Sequence, residues 1–155
     1  MATSTVTRPD RAVRRAGAGP TLLTRVALIV SAVVAVTAVP GGLELILWPQ
    51  GNSYLDGALL DDLPVDSFVL PGLALLVLVG GTALVATMWL WRTRRAEPAA
   101  AGRAWWATLT AGLVLTGWIG LELLLLPGFS PLEAVYGLLG LVQVATAALT
   151  LRRSG

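Results

Sequence analysis

The chain has no cysteine, no histidine and no lysine, and only 13% of its 155 residues are charged. Without cysteine there is no disulfide, no thiolate nucleophile and no iron–sulfur ligand, and without histidine there is no zinc or haem site of the usual kind. No imidazole is present to move protons near neutral pH. Ser–His–Asp and Cys–His nucleophilic sets are ruled out together. The glycine-rich stretches cannot be P-loops, which need a lysine to reach the phosphates. The shortage of charge matters as much. An ordinary soluble domain carries about 25% charged residues, and this chain has too little polar surface to cover a monomer in water.

What is present is apolar. Four runs, 26–48, 68–91, 104–126 and 132–151, carry respectively Glu44, no charge, Glu122 and Glu133. About 20 mostly apolar residues suffice to cross roughly 30 Å of hydrocarbon as a helix. Only helices and closed barrels satisfy their own backbone in lipid, and the runs lack the alternation of barrel strands. The expected fold is therefore all-α, a four-transmembrane-helix bundle at 22–155. Residues 1–21, small, polar and arginine-rich, are expected to form a disordered cytoplasmic tail. The first run exceeds a signal-peptide core of about 7–15 residues and is read as a retained span.

All 11 basic residues are arginine, and their placement fixes an expected threading. Arg8, Arg11, Arg14, Arg15 and Arg25 precede or begin the first run. Arg92, Arg94, Arg95 and Arg103 lie between the second and third, and Arg152 and Arg153 follow the fourth. Segment 49–67 has no basic residue and carries Asp56, Asp61, Asp62 and Asp66. Basic residues remain on the cytoplasmic side, so both termini are expected inside and the acidic loop outside a bacterial plasma membrane. This placement accounts for the arginines without a nucleic-acid partner. Trp89, Trp91, Trp105 and Trp106 fall at the inner boundary and Trp48 at the outer one, where indoles prefer to sit; Trp118 lies well inside a span. In the acidic loop, Leu55, Leu59, Leu60 and Leu63, with Asp56, Asp61 and Asp62 between them, suit a short amphipathic helix ended by Pro64. It would serve as a plain connector or as a lid.

The chain also repeats itself. Segments 42–49 and 120–127 agree at six of eight positions at an offset of 78, which lays Glu44 on Glu122 and Arg25 on Arg103. An offset of 60 lays Pro71 on Pro131, Gly80 on Gly140 and Arg92 on Arg152. Two parallel-oriented helical hairpins related by a pseudo-twofold along the membrane normal are expected.

Helix three carries Ala104, Thr108, Gly112, Thr116 and Gly120 at every fourth position. Small residues so spaced let backbones approach, which makes this helix the expected centre of the bundle. A shorter stripe, Ala27, Ser31 and Ala35, marks helix one, where Pro40 is expected to introduce a kink. Gly140 belongs to the packing set of helix four, and Gln143 is expected to bond a neighbouring helix.

Ionisable groups inside spans are functional candidates by default. Glu44 and Glu122 would hold a proton or small cation if they converge; otherwise each reaches the headgroups separately. The acidic loop lacks EF-hand spacing, and neither a metal nor a cofactor is expected.

Gly41-Gly42 closing helix one, Pro64-x-Asp66-Ser67-Phe68-x-x-Pro71-Gly72-Leu73 opening helix two, Trp118-Ile119 ahead of an acidic residue, and the stretch from Pro131 to Gly140 give the chain a family resemblance. It resembles a group of small four-span bacterial membrane proteins common in actinobacteria. The resemblance covers nearly all the spans but not the N-terminal tail. It rests on helix-end and packing features, implies the four-span fold and brings no activity or functional residue with it. The expected role is non-enzymatic, through association with the lipid bilayer, a membrane partner or a second copy. The alternative is a small transporter or proton-coupled carrier using Glu44 and Glu122.

Overall fold

The computed structural model describes residues 21–51, 56–94, 98–126 and 130–154. The N-terminal tail through residue 20 and Leu55 of the acidic loop lie outside the described residues. Four helices make the fold: α1 (Leu22–Leu47), α2 (Val69–Thr93), α3 (Pro98–Leu125) and α4 (Pro131–Ser154). All four are long and apolar enough to cross a membrane.

Local chemistry explains their starts. Thr21 caps α1, its Oγ1 accepting from the Thr24 N–H at 3.3 Å, so this helix begins a turn before the apolar run. Pro98 and Pro131 occupy first helical positions, where a missing N–H costs nothing. α4 opens with a capping box. Ser130 Oγ accepts from the Leu132 N–H at 3.2 Å, and Glu133 Oε2 accepts from the Ser130 N–H at 3.0 Å. Glu133 thus serves a helix end rather than the membrane interior. α1 continues through Pro40, although proline has no N–H to offer the carbonyl one turn back. Along the helices, Thr37, Thr87, Thr108, Thr116 and Thr146 each donate to the carbonyl four residues earlier at 2.8 Å. This satisfies hydroxyls that lipid could not.

The helices form a ring in the order α1, α2, α3, α4, with α1 and α3 on a diagonal and barely touching. Helix three is therefore not the centre: its small stripe serves α4. One apolar core lies midway, built from Val34, Ala35, Ala38, Val79, Leu115 and Ile119 among others. A second lies at the arginine-rich end, around Ala27, Leu90, Ala104, Trp105 and Ala147. Trp105 is thus core, while Trp91 and Trp106 face outward. The Arg94 guanidinium stacks 3.4 Å from the Trp91 ring centre and Arg103 sits 5.3 Å from that of Trp89. The Ala27, Ser31 and Ala35 stripe of α1 is buried as expected. Ile29, Val36, Leu70, Val77, Leu124 and Leu138 point outward, as a bundle solvated by lipid requires.

The diagonal placement of α1 and α3 is what a twofold relation between the two hairpins demands. Close packing follows it in part. A Cβ on Gly80 would lie 3.0 Å from Val39 Cγ2, and one on Gly140 would lie 2.6 Å from Thr116 Oγ1. At the 78-residue offset, Val39 and Thr116 match within one position. The relation fails nearer the acidic end. Gly42 and Gly72 meet backbone to backbone, a Cβ on either lying 2.8 Å from the other's carbonyl oxygen, whereas a Cβ on Gly120 would meet nothing within 4 Å. Gly120 is exposed and does not belong to the packing set.

α2 is not a regular α-helix throughout. Its middle, Leu75–Gly81, is π-helical, and the wider turn is closed by the Thr82 N–H, which reaches both the Leu78 and Val79 carbonyls. Gly80, with no Cβ, accommodates the approach of α1 at this point.

Candidate functional site

The acidic end of the bundle holds a cavity of about 350 Å³. Its floor comes from Pro71 and Ala74 of α2, one wall from Leu45 of α1, and the other from Trp118, Leu121 and Glu122 of α3. Its roof is the connection between α1 and α2. That segment forms a 3₁₀ helix, Gly57–Asp62, capped by Asp56, whose Oδ1 accepts from the Ala58 N–H at 2.9 Å. Leu59 and Leu63 face the cavity, followed by Pro64, Val65 and the buried Phe68. The Phe68 N–H donates to the Pro49 carbonyl at 2.9 Å, which closes the connection at its base. The amphipathic pattern expected of this loop is realised as a tighter helix than α, and its leucines cover the space between α1, α2 and α3.

The lining is apolar with one charged group. Glu122 is half-buried, and Trp118, one helical turn earlier, donates its indole N–H to Glu122 Oε1 at 2.7 Å. Residues four apart share a helix face, so α3 alone presents this pair. The acidic group that acts on Glu122 electrostatically is Glu133, at the start of α4.

Glu44 is not part of this site. It is exposed on α1, and its neighbour Leu45 is the residue that lines the cavity. Successive helix residues point about 100° apart, so one position decides which of them faces in. The structure does not bring Glu44 and Glu122 together in the cavity. The repeat also breaks here: the offset that lays Glu44 on Glu122 lays Pro40 on Trp118, so α1 has no indole one turn before its glutamate.

The remaining sequence candidates are structural. A Cβ on Gly112 would lie 2.9 Å from Gln143 Cβ and from the Val144 N, and Thr116 receives Gly140, so Gly112, Thr116, Gly140 and Gln143 all lie in the contact between α3 and α4. Gln143 is fully buried and donates from Nε2 to Ser31 Oγ of α1 at 2.9 Å, tying α4 to α1; its Oε1 has no hydrogen-bond partner among the described residues.

The fold and the cavity define an all-helical bundle with four membrane-length spans and a roofed apolar space at one end. No family model matches the chain, and neither a curated protein nor a solved structure matches it.

Proposed function

We propose that this is a non-enzymatic integral membrane protein of a bacterial plasma membrane, acting by association with a membrane component that it receives in the cavity. Both termini and the arginines lie in the cytoplasm, and the acidic connection lies outside. The arginine asymmetry supports that threading.

The observation that carries the reading is the cavity itself. Protein interiors contain few voids larger than a water molecule, and elsewhere these helices meet at backbone distance, as at Gly42 and Gly72. Next to that contact the same helices leave about 350 Å³ open, within the size range of small-ligand pockets, under a dedicated roof. The space opens to the surroundings past Leu70 and Leu121, both largely exposed, so an apolar molecule from the membrane can enter it and pack against the lining. The carrier alternative is left with Glu122 alone in the cavity, since Glu44 lies outside it.

Native mass spectrometry of protein released from lipid nanodiscs tests the reading. Wild type is expected to retain a small apolar species that Ala74→Phe, which fills the cavity, does not. Equal retention by the two would overturn it, and a dimer mass without any small ligand would replace it with self-association.

A further inference from the structure

The cavity has a polar end as well as an apolar one, and only one kind of head group suits it. Glu122 is the sole charged residue in the lining, and Trp118 engages one of its two oxygens. Among the described residues no basic side chain shares this end: Arg25, Arg92, Arg94, Arg103, Arg152 and Arg153 belong to the opposite ends of the four helices. Seven of the nine acidic residues, Glu44, Glu122, Glu133 and the four aspartates of the connection, lie at the cavity end. The described residues therefore supply no cation to neutralise Glu122, and a ligand cation would. An indole beside a carboxylate is a recognition set for an ammonium group, which gains from the ring's quadrupole and from the charge together. A free phosphate or carboxylate head would meet repulsion from Glu122, which disfavours anionic lipids as head-first occupants.

We infer that the cavity binds a small phosphate-free amphiphile whose polar end is a protonated or quaternary amine, with the ammonium on Trp118 and Glu122 and the apolar part beneath Leu59 and Leu63. The inference rests on the proposal that the cavity receives an apolar molecule. The volume of about 350 Å³ lies at the lower end of the range of small-ligand pockets, which favours a short chain.

The test uses the full chain in phosphatidylcholine nanodiscs and three probes with one tail: octyltrimethylammonium, octanol and octanoate. Saturable binding is followed by saturation-transfer NMR, with empty nanodiscs subtracted. Octyltrimethylammonium is expected to bind about tenfold more tightly than octanol, and octanoate not to bind. Glu122→Gln should remove the ammonium's advantage and leave octanol unchanged. If octanol and octyltrimethylammonium bind wild type equally, the amine specificity is wrong while the apolar cavity stands. If no probe binds above empty nanodiscs, the underlying reading fails with it. The comparison of head groups on wild type decides the question even if Glu122→Gln does not fold.

Discussion

Gly112→Ala and Gly117→Ala are the same substitution on the same helix, five residues apart, and the structure requires them to differ in sign. An alanine Cβ at position 112 would lie 2.9 Å from Gln143 Cβ, from Val144 Cγ2 and from the Val144 backbone nitrogen. Carbon contacts relax at about 3.5–4.0 Å, so α3 and α4 must part by roughly half an ångström or more. One obstacle is main chain and another is a Cβ, and neither can rotate away. Overpacking of this kind costs about 1–3 kcal/mol. A Cβ at position 117 would meet nothing within 4 Å. Both variants gain the same helix propensity, about 1 kcal/mol for glycine to alanine. The gain cancels in the comparison, leaving the steric term of about 1–3 kcal/mol as the difference. Unfolding in mixed micelles, titrated with SDS and followed by far-ultraviolet circular dichroism, measures it. Gly112→Ala is expected to unfold at a lower SDS fraction than wild type, and Gly117→Ala at an equal or higher one. Gly112→Leu should fall further, while Leu113→Ala, at a position 57% exposed to the surroundings, should stay near wild type. Coincident transitions for the two alanine variants would refute the α3–α4 contact described here.

Three further outcomes are expected. Ser31→Ala strips Gln143 of its one side-chain partner and should cost about 1–3 kcal/mol, whereas Gln143→Leu removes the whole buried amide and should cost less; the reverse order of thermal stability in detergent would contradict the α1–α4 tie. Gly72→Ala puts a Cβ 2.8 Å from the Gly42 carbonyl oxygen and should destabilise the cavity end by about 1–3 kcal/mol, read as earlier proteolysis of the 57–65 connection; unchanged proteolysis would count against that close approach. The chain has no native cysteine, so Ala58→Cys should react with an impermeant maleimide in intact cells and Arg153→Cys only after lysis, and labelling of position 153 from outside would reverse the proposed threading.

The spans were legible because length and hydropathy alone decide them, and the boundary differences arise where caps rather than apolarity set helix ends. Thr21 and Pro98 extend α1 and α3 beyond their apolar runs. The Ser130-x-x-Glu133 spacing is that of a capping box, although Glu133 also falls inside an apolar run of span length. The small-residue stripe of α3 is legible at four of its five positions, and only Gly120 departs from it, for a geometric reason. A spacing of four residues turns about 400° on an α-helix, so it precesses about 40° per step. Centred on Gly112, it keeps Thr108 and Thr116 near the α4 face and carries Gly120 about 80° away, into the open. The Gly42–Gly72 approach and the π-helical middle of α2 depend on how α1 and α2 cross, which no local pattern encodes.

The cavity shows where the internal repeat misleads. Equivalence at an offset of 78 points Glu122 toward Glu44, yet the residue that defines its surroundings is the one the repeat does not share, Trp118 in place of Pro40. A proline at that point of α1 offers no side-chain donor. A tryptophan at the same point of α3 offers an N–H one turn from the carboxylate and takes it, at 2.7 Å. The signal was present in the sequence as a Trp–Glu pair four apart, inside a span, on a helix whose other indoles sit at its opposite end. The 57–65 roof adds a second asymmetry: the first hairpin's connection is 18 residues longer than the second's by the difference of the two offsets, and Leu59 and Leu63, which cover the cavity, come from that extra length. The internal repeat matches the diagonal placement of α1 and α3. The binding chemistry proposed for the cavity lies where the two halves diverge, so Trp118→Leu, which leaves the α3 backbone hydrogen bonds in place, should remove the ammonium probe's advantage while Glu44→Gln leaves it unchanged.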